Sequence, residues 1–144
     1  MERIARLFVV LALAISPSLF AGDIDDAAKA ALGSLSDSWR DGSSDGVAAY
    51  FPSGDAKISL TLDSQASGSY SSKQARKVLG EYFGRCSVSK VSLRDDGYGG
   101  SGKRAVGVYD YEYSDASGTK HTGRLAISIE QSGSKWLLQS VTVD

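Results

Sequence analysis

The sequence predicts an α+β domain in which N-terminal helices pack on the concave face of a strongly curved antiparallel sheet. Three observations carry this prediction. Residues 103 to 143 read as three runs of period two separated by short Gly/Ser turns, the pattern of a meander. Two stretches upstream carry apolar residues at helical spacing. Helices gathered ahead of strands, rather than alternating with them, favour segregated layers over a parallel sheet.

The chain starts with Arg3 and Arg6, an unbroken apolar run from Leu7 to Ile15, and Ser16-Pro17 ahead of Ser18-Leu19-Phe20-Ala21. That is the pattern of an export signal, so residues 1–21 are expected to be removed and residues 22–144 to form one domain. The run is shorter than the roughly 20 residues a membrane-spanning helix needs. An uncleaved anchor is the alternative. The expected product is exported to the periplasm or the medium, with no membrane contact once the signal is gone.

Composition narrows the function classes. The 144 residues carry a formal net charge of −1, which offers no basic surface for nucleic acid. The one cysteine, Cys86, excludes an intrachain disulfide and a cysteine-based metal cluster. Neither a metal nor a cofactor is expected.

Ile24, Ala28, Leu32, Leu35 and Trp39 recur at spacings of four and three, predicting a helix from about Asp25 to Arg40. Aspartates open it where the helix dipole favours them, and Asp41-Gly42 stops it. Ser43-Ser44-Asp45 can cap a short second helix over 46–51, and Ile58, Leu60 and Leu62 alternate as a half-buried strand. Residues 63–69 read as a polar loop. Ser71 and Gln74 match a capping box, followed by Ala75, Val78, Leu79, Tyr82 and Phe83 on one stripe and Gly84 as the stop. A strand over 87–94 slips once in its alternation. Gly97 to Lys103 fits the glycine spacing of a phosphate-binding loop, but Arg104 stands where Ser or Thr is required and a strand follows, so the segment reads as a hairpin turn.

Four segments carry a family resemblance: Asp45 to Phe51, Tyr70 to Ala75, Ala105 to Tyr109, and Lys135 to Leu138. Together they resemble the nuclear transport factor two-like superfamily of cone-shaped, cystatin-like α+β domains, and within it short secreted bacterial proteins of a domain-of-unknown-function family. The resemblance implies a cone with an open mouth and dimers that pack sheet against sheet. It also implies that some relatives abstract protons next to a carbonyl with His and carboxylates in the cone.

Register decides which side chains enter that cone. Setting Tyr113 opposite Lys120 pairs Val106 with Ile127, Val108 with Leu125 and Glu112 with His121. Setting Glu130 opposite Lys135 adds Ile129, Trp136 and Leu138 to the same aliphatic face. Asp110, Glu112 and His121 would then share the cone mouth, with His121 as a base oriented by a carboxylate. The plainer reading is a cross-strand Glu-His pair at a wet rim. Trp39, Tyr50, Tyr82 and Trp136 are candidates to line a pocket for a small apolar ligand, or to fill it. The opposite face would carry Tyr109, Tyr111 and Tyr113 with Arg124 nearby, an aromatic patch suited to a homodimer or an exported protein partner. The favoured function is a non-enzymatic module that binds a ligand or a protein; the alternative is a small isomerase-like or dehydratase-like enzyme using His121 with Asp110 or Glu112.

Overall fold

Residues 24–144 are described by a computed structural model, and the expected export signal at 1–21 lies outside them. The order is α1 (Asp26–Arg40), α2 (Ser44–Ala48), β1 (Ile58–Asp63), β2 (Ala66–Tyr70), α3 (Ser72–Arg85), β3 (Ser87–Ser101), β4 (Arg104–Ser114), β5 (Lys120–Ser132) and β6 (Lys135–Val143). The six strands form one sheet in the order β2-β1-β6-β5-β4-β3. Every neighbouring pair is antiparallel except β1 and β6, which run parallel, so the sheet is mixed. No helix among the described residues is long and apolar enough to cross a membrane.

The caps fall where side-chain chemistry puts them. The Asp25 carboxylate accepts the Ala27 N–H at 2.8 Å at the start of α1. Ser71 Oγ accepts the Gln74 N–H while Gln74 Oε1 accepts the Ser71 N–H, closing the predicted capping box of α3. Past Gly84, α3 runs on to Arg85, with Cys86 as its cap. The stripes of both helices turn inward: Ala28, Leu32, Leu35 and Trp39 of α1 and Ala75, Leu79 and Tyr82 of α3 are buried. Burying each large apolar side chain contributes about 1.5–3 kcal/mol, which offsets the weak helix propensity of the serines and glycines between them.

The short helix expected over 46–51 lies at Ser44–Ala48, and two further segments differ from expectation. Residues 66–69, read as part of a 63–69 loop, join Tyr70 in β2 at the sheet edge, where the Asp63 carboxylate accepts the Gln65 and Ala66 N–H groups and turns the chain. Residues 97–101, within the segment read as a turn, continue β3 beyond an irregularity between Leu93 and Tyr98. Asp96 there adopts φ 57°.

The register of β4 on β5 is the correction with the largest consequence. Ser114 pairs with Lys120, Tyr113 with His121 and Glu112 with Thr122, one residue from the expected alignment. The cause is a tighter loop. Asp115 N–H donates to the Thr119 carbonyl at 2.9 Å, leaving only Ala116, Ser117 and Gly118 to turn the chain, with Gly118 at φ 86° in the left-handed region. A slip of one residue exchanges the faces of a strand. Tyr109 and Tyr111 therefore point into the core with Leu125, Ile127 and Ile129, while Val106 and Val108 point outward.

The β5–β6 hairpin is also tighter than expected, with Ser132 opposite Lys135 and Gly133 at φ 62° in a two-residue turn. That difference is two residues, which preserves the faces, so Trp136 and Leu138 remain inside as predicted. A bulge between Ser128 and Ile129 then brings Val141, which simple alternation from Leu137 would place outside, into the core.

Candidate functional site

The interior of the cone is occupied by aromatic side chains. Trp39 Nε1–H donates to the Tyr111 hydroxyl at 3.1 Å, and the Tyr82 and Tyr111 hydroxyls lie 2.9 Å apart. The Trp39 ring meets Phe83 edge-on at 5.0 Å and lies 5.9 Å from Tyr82. Tyr109 lies across Gly107, where a Cβ would come within 2.5 Å of its hydroxyl, and donates to the Leu32 carbonyl at 3.3 Å. Gly107 is therefore the position in β4 that lets a ring lie flat on the strand and reach α1.

Burial raises the phenol pKa of Tyr82 and Tyr109, and pushes Tyr111 up to about 12 against the hydrogen bonds from Tyr82 and Trp39. All three are buried neutral phenols, Tyr82 and Tyr111 joined to each other and Tyr109 bonded to the backbone of α1. Surface depressions among the described residues lie elsewhere. One, of about 430 Å³, lies between Ile24 and Lys29 and the kink of β3 at Leu93, Arg94 and Tyr98; another, of about 300 Å³, lies between Tyr70 and Val78. Neither is lined by Trp39, Tyr82, Trp136 or His121.

Of the pocket candidates, Trp39 and Tyr82 meet in the core, and Trp136 is buried with no hydrogen-bond partner for its Nε1 among the described residues. Tyr50 is half-buried, and its carbonyl accepts the Leu138 N–H at 2.7 Å.

The catalytic candidates are separated. His121 Nε2 lies 2.8 Å from Asp115 Oδ2 and its ring stacks on Tyr113 at 5.0 Å. Asp115 also accepts from Ser117 N–H, Ser117 Oγ and Thr119 N–H, and with the Ser117 hydroxyl foremost and His121 next these bonds hold its carboxyl well below the usual range. His121 is thus a partner of the turn aspartate. Asp110 and Glu112 lie on the other face of the sheet, bonded to Arg94 at 2.7 Å and paired with Lys90 at 3.9 Å. The expected His121/Glu112/Asp110 convergence is undone by the same one-residue register that turned the tyrosines inward. Cys86 is half-buried, and burial pushes its thiol up, away from thiolate character.

The interface candidates are redistributed too. Tyr109 and Tyr111 are 2% and 1% exposed inside the cone, and Tyr113 stacks on Tyr111 at 4.9 Å on the same face, so the convex face carries none of the three. Arg124 does lie on the convex face, opposite Asp110. What sequence reasoning missed is that Val106 and Val108 of β4 belong there too. With Ala126 on β5 and Leu137 on β6, both expected on the outer face, they are half-buried on that surface, and Arg104 pairs with Glu130 at 3.6 Å beside them. The sequence cue was Asp115-Ala116-Ser117-Gly118, in which Gly118 suits the left-handed residue of a three-residue hairpin loop and fixes the parity of β4.

Comparison with known proteins agrees with this architecture. The family model described as Domain of unknown function (DUF4783) matches residues 33–144. A DUF4783 family protein from Bacteroides uniformis superposes with a TM-score of 0.64 at 12% identity, over 78% of this chain and 94% of that one. An NTF-2 like protein of unknown function from Shewanella oneidensis gives 0.52 at 10% identity, over 82% and 96%. An LEH-like epoxide hydrolase from M. tuberculosis gives 0.57 at 14% identity, over 80% of each chain. At these identities the likeness is one of fold, the NTF2-like α+β cone. No curated protein matches the sequence.

Proposed function

The chain belongs to the DUF4783 family, a domain of unknown function, and on that premise we propose that it is an exported, non-enzymatic interaction module that associates with a second copy of itself through the convex face of its sheet. The observation that carries the reading is where the side chains lie. Aromatic rings fill the cone, while Val106, Val108, Ala126 and Leu137 give the outer face an apolar centre. The enzymatic alternative needs an open cavity in which His121 and a carboxylate converge; His121 instead engages the turn aspartate, and Asp110 and Glu112 lie across the sheet. A ligand in the cone would have to displace the Trp39, Tyr82 and Tyr111 network.

Sedimentation velocity of residues 22–144, beside a Val108→Glu variant, tests the reading. The expected result is a mass above the monomer that falls to the monomer in the variant, with the melting curve retained. A wild-type protein that stays monomeric to high micromolar concentration overturns it. Export is tested separately by intact mass from the native host, where a mature N-terminus at Gly22 is expected and one at Met1 refutes processing.

A further inference from the structure

Resting on that self-association, we propose that the convex face carries its own docking code: Arg104, Asp110, Arg124 and Glu130 form a charge checkerboard that pairs with the same four residues of a second copy. The register places them. Arg104 stands opposite Glu130 and Asp110 opposite Arg124 across the β4–β5 ladder, at the four corners of a rectangle. Inside it lie two rows of small side chains, Val106 opposite Ser128 and Val108 opposite Ala126. Positive and negative corners alternate both along and across the strands. All four side chains reach solvent, with Arg104, Glu130 and Asp110 at 65%, 48% and 46% side-chain exposure and Arg124 exposed.

A two-fold dimer packed face to face has its axis in the plane of the interface. An axis parallel to the strands lays β4 over the second copy's β5, so Asp110 meets Arg124 and Arg104 meets Glu130. An axis across the strands lays β4 over the second copy's β4 with its direction reversed, so Asp110 meets Arg104 and Arg124 meets Glu130. Each corner finds its opposite either way. A diagonal axis sets two like-charged corners against their own copies and is penalised. The small side chains between the corners allow the two sheets to approach to the roughly 10 Å of packed sheets.

The face has the scale of a small interface. From Arg104 to Glu112 the strand is about 27 Å long and six strands are about 24 Å wide, at most about 650 Å², against the ~800 Å² that each partner of a standard interface buries. The neighbouring pairs Lys90–Glu112 and Arg94–Asp110 continue the alternation of sign across the strands, from acidic β4 to basic β3. A sheet face of uniform charge would repel its own copy; this one is balanced.

Charge reversal reads the code directly. Asp110→Lys sets like charges together twice per dimer under either axis, and is expected to weaken association about tenfold or more in sedimentation equilibrium, with the melting curve as a check on folding. Association is expected to return to within about threefold of wild type in one of two double variants. Recovery in Asp110→Lys with Arg124→Asp assigns the axis along the strands; recovery in Asp110→Lys with Arg104→Asp assigns it across them. If wild type associates and neither double variant recovers, the checkerboard is overturned while self-association stands. If wild type does not associate, both fail. The reversed pair Arg104→Glu with Glu130→Arg repeats the test from the other edge of the rectangle, should Lys at 110 unfold the chain.

Discussion

The hydroxyl of Tyr82 lies 2.9 Å from that of Tyr111, and the same Tyr111 oxygen accepts the Trp39 indole N–H. One phenol on β4 thus ties α1 to α3 inside the cone. Tyr111→Phe removes the shared oxygen while keeping the ring, leaving two buried donors without that partner. The expected cost is about 1–3 kcal/mol in urea unfolding. Tyr113→Phe, whose hydroxyl makes no bond of this kind among the described residues, is expected to change stability by less than about 0.5 kcal/mol.

The buried phenols also set an alkaline limit. Tyr111 is pushed up to about 12, and Tyr82 and Tyr109 are raised too, because burial disfavours the phenolate. Their folded pKa values lie above the unfolded value near 10, so their contribution to stability is full below about pH 10 and is lost as pH rises through the folded values. Absorbance of tyrosinate during a pH titration is expected to show these three ionising only with the loss of tertiary circular dichroism. A smooth titration of every tyrosine around pH 10 in a folded protein would contradict the packing.

Leu79 of α3 is fully buried. Leu79→Ala is expected to cost about 2–5 kcal/mol, the range for a truncated buried leucine with the cavity it leaves. Lys77→Ala, on the exposed side of the same helix, is expected to stay within about 0.5 kcal/mol. Equal effects in chemical denaturation would mean that α3 does not pack as described.

An acid limit comes from Asp63. Burial pushes its carboxyl up, but the two Arg85 hydrogen bonds at 3.1 and 2.9 Å, with the Gln65 and Ala66 N–H groups, outweigh it and hold the pKa below the usual value. A depressed folded pKa gives stability that is present above the unfolded value near 3.9 and fades as pH falls through the folded one. Arg85→Gln is expected to raise the Asp63 pKa and move the acid unfolding midpoint to higher pH. Melting temperature measured between pH 2 and 6 follows the shift, and an unmoved acid limb would place the linkage elsewhere.

Much of this was legible in the residues, and the rest failed for a physical reason. α3 was readable because Ser71 and Gln74 fix its start and Leu79 and Tyr82 fix its face. The inward faces of β5 and β6 survived an error of two residues in their turn, because side chains repeat every two. On β4 the error was one residue, hidden in how Asp115 closes its loop, and it inverted every side chain from Val106 to Tyr113. The candidate site fell with it, since His121 and Glu112 shared a face only in the slipped register. β2 was invisible because Ser67, Gly68 and Ser69 have weak strand preference and are held by the ladder with β1.

The parallel pairing of β1 with β6 bears on how the molecule comes together. β3 to β6 are joined by tight turns and can zip from neighbouring segments, whereas Ser59 reaches Ser140 only when a loop of more than half the chain closes. Loop closure on that scale is paid before its contacts reward it, so the sheet nucleates at the C-terminal meander and takes on the β1–β2 ribbon afterwards. During synthesis from the N-terminus, β1 must therefore wait for nearly the last residues before it has a strand to join. Until then Ile58, Leu60 and Leu62, buried side chains in the finished sheet, remain open to other chains.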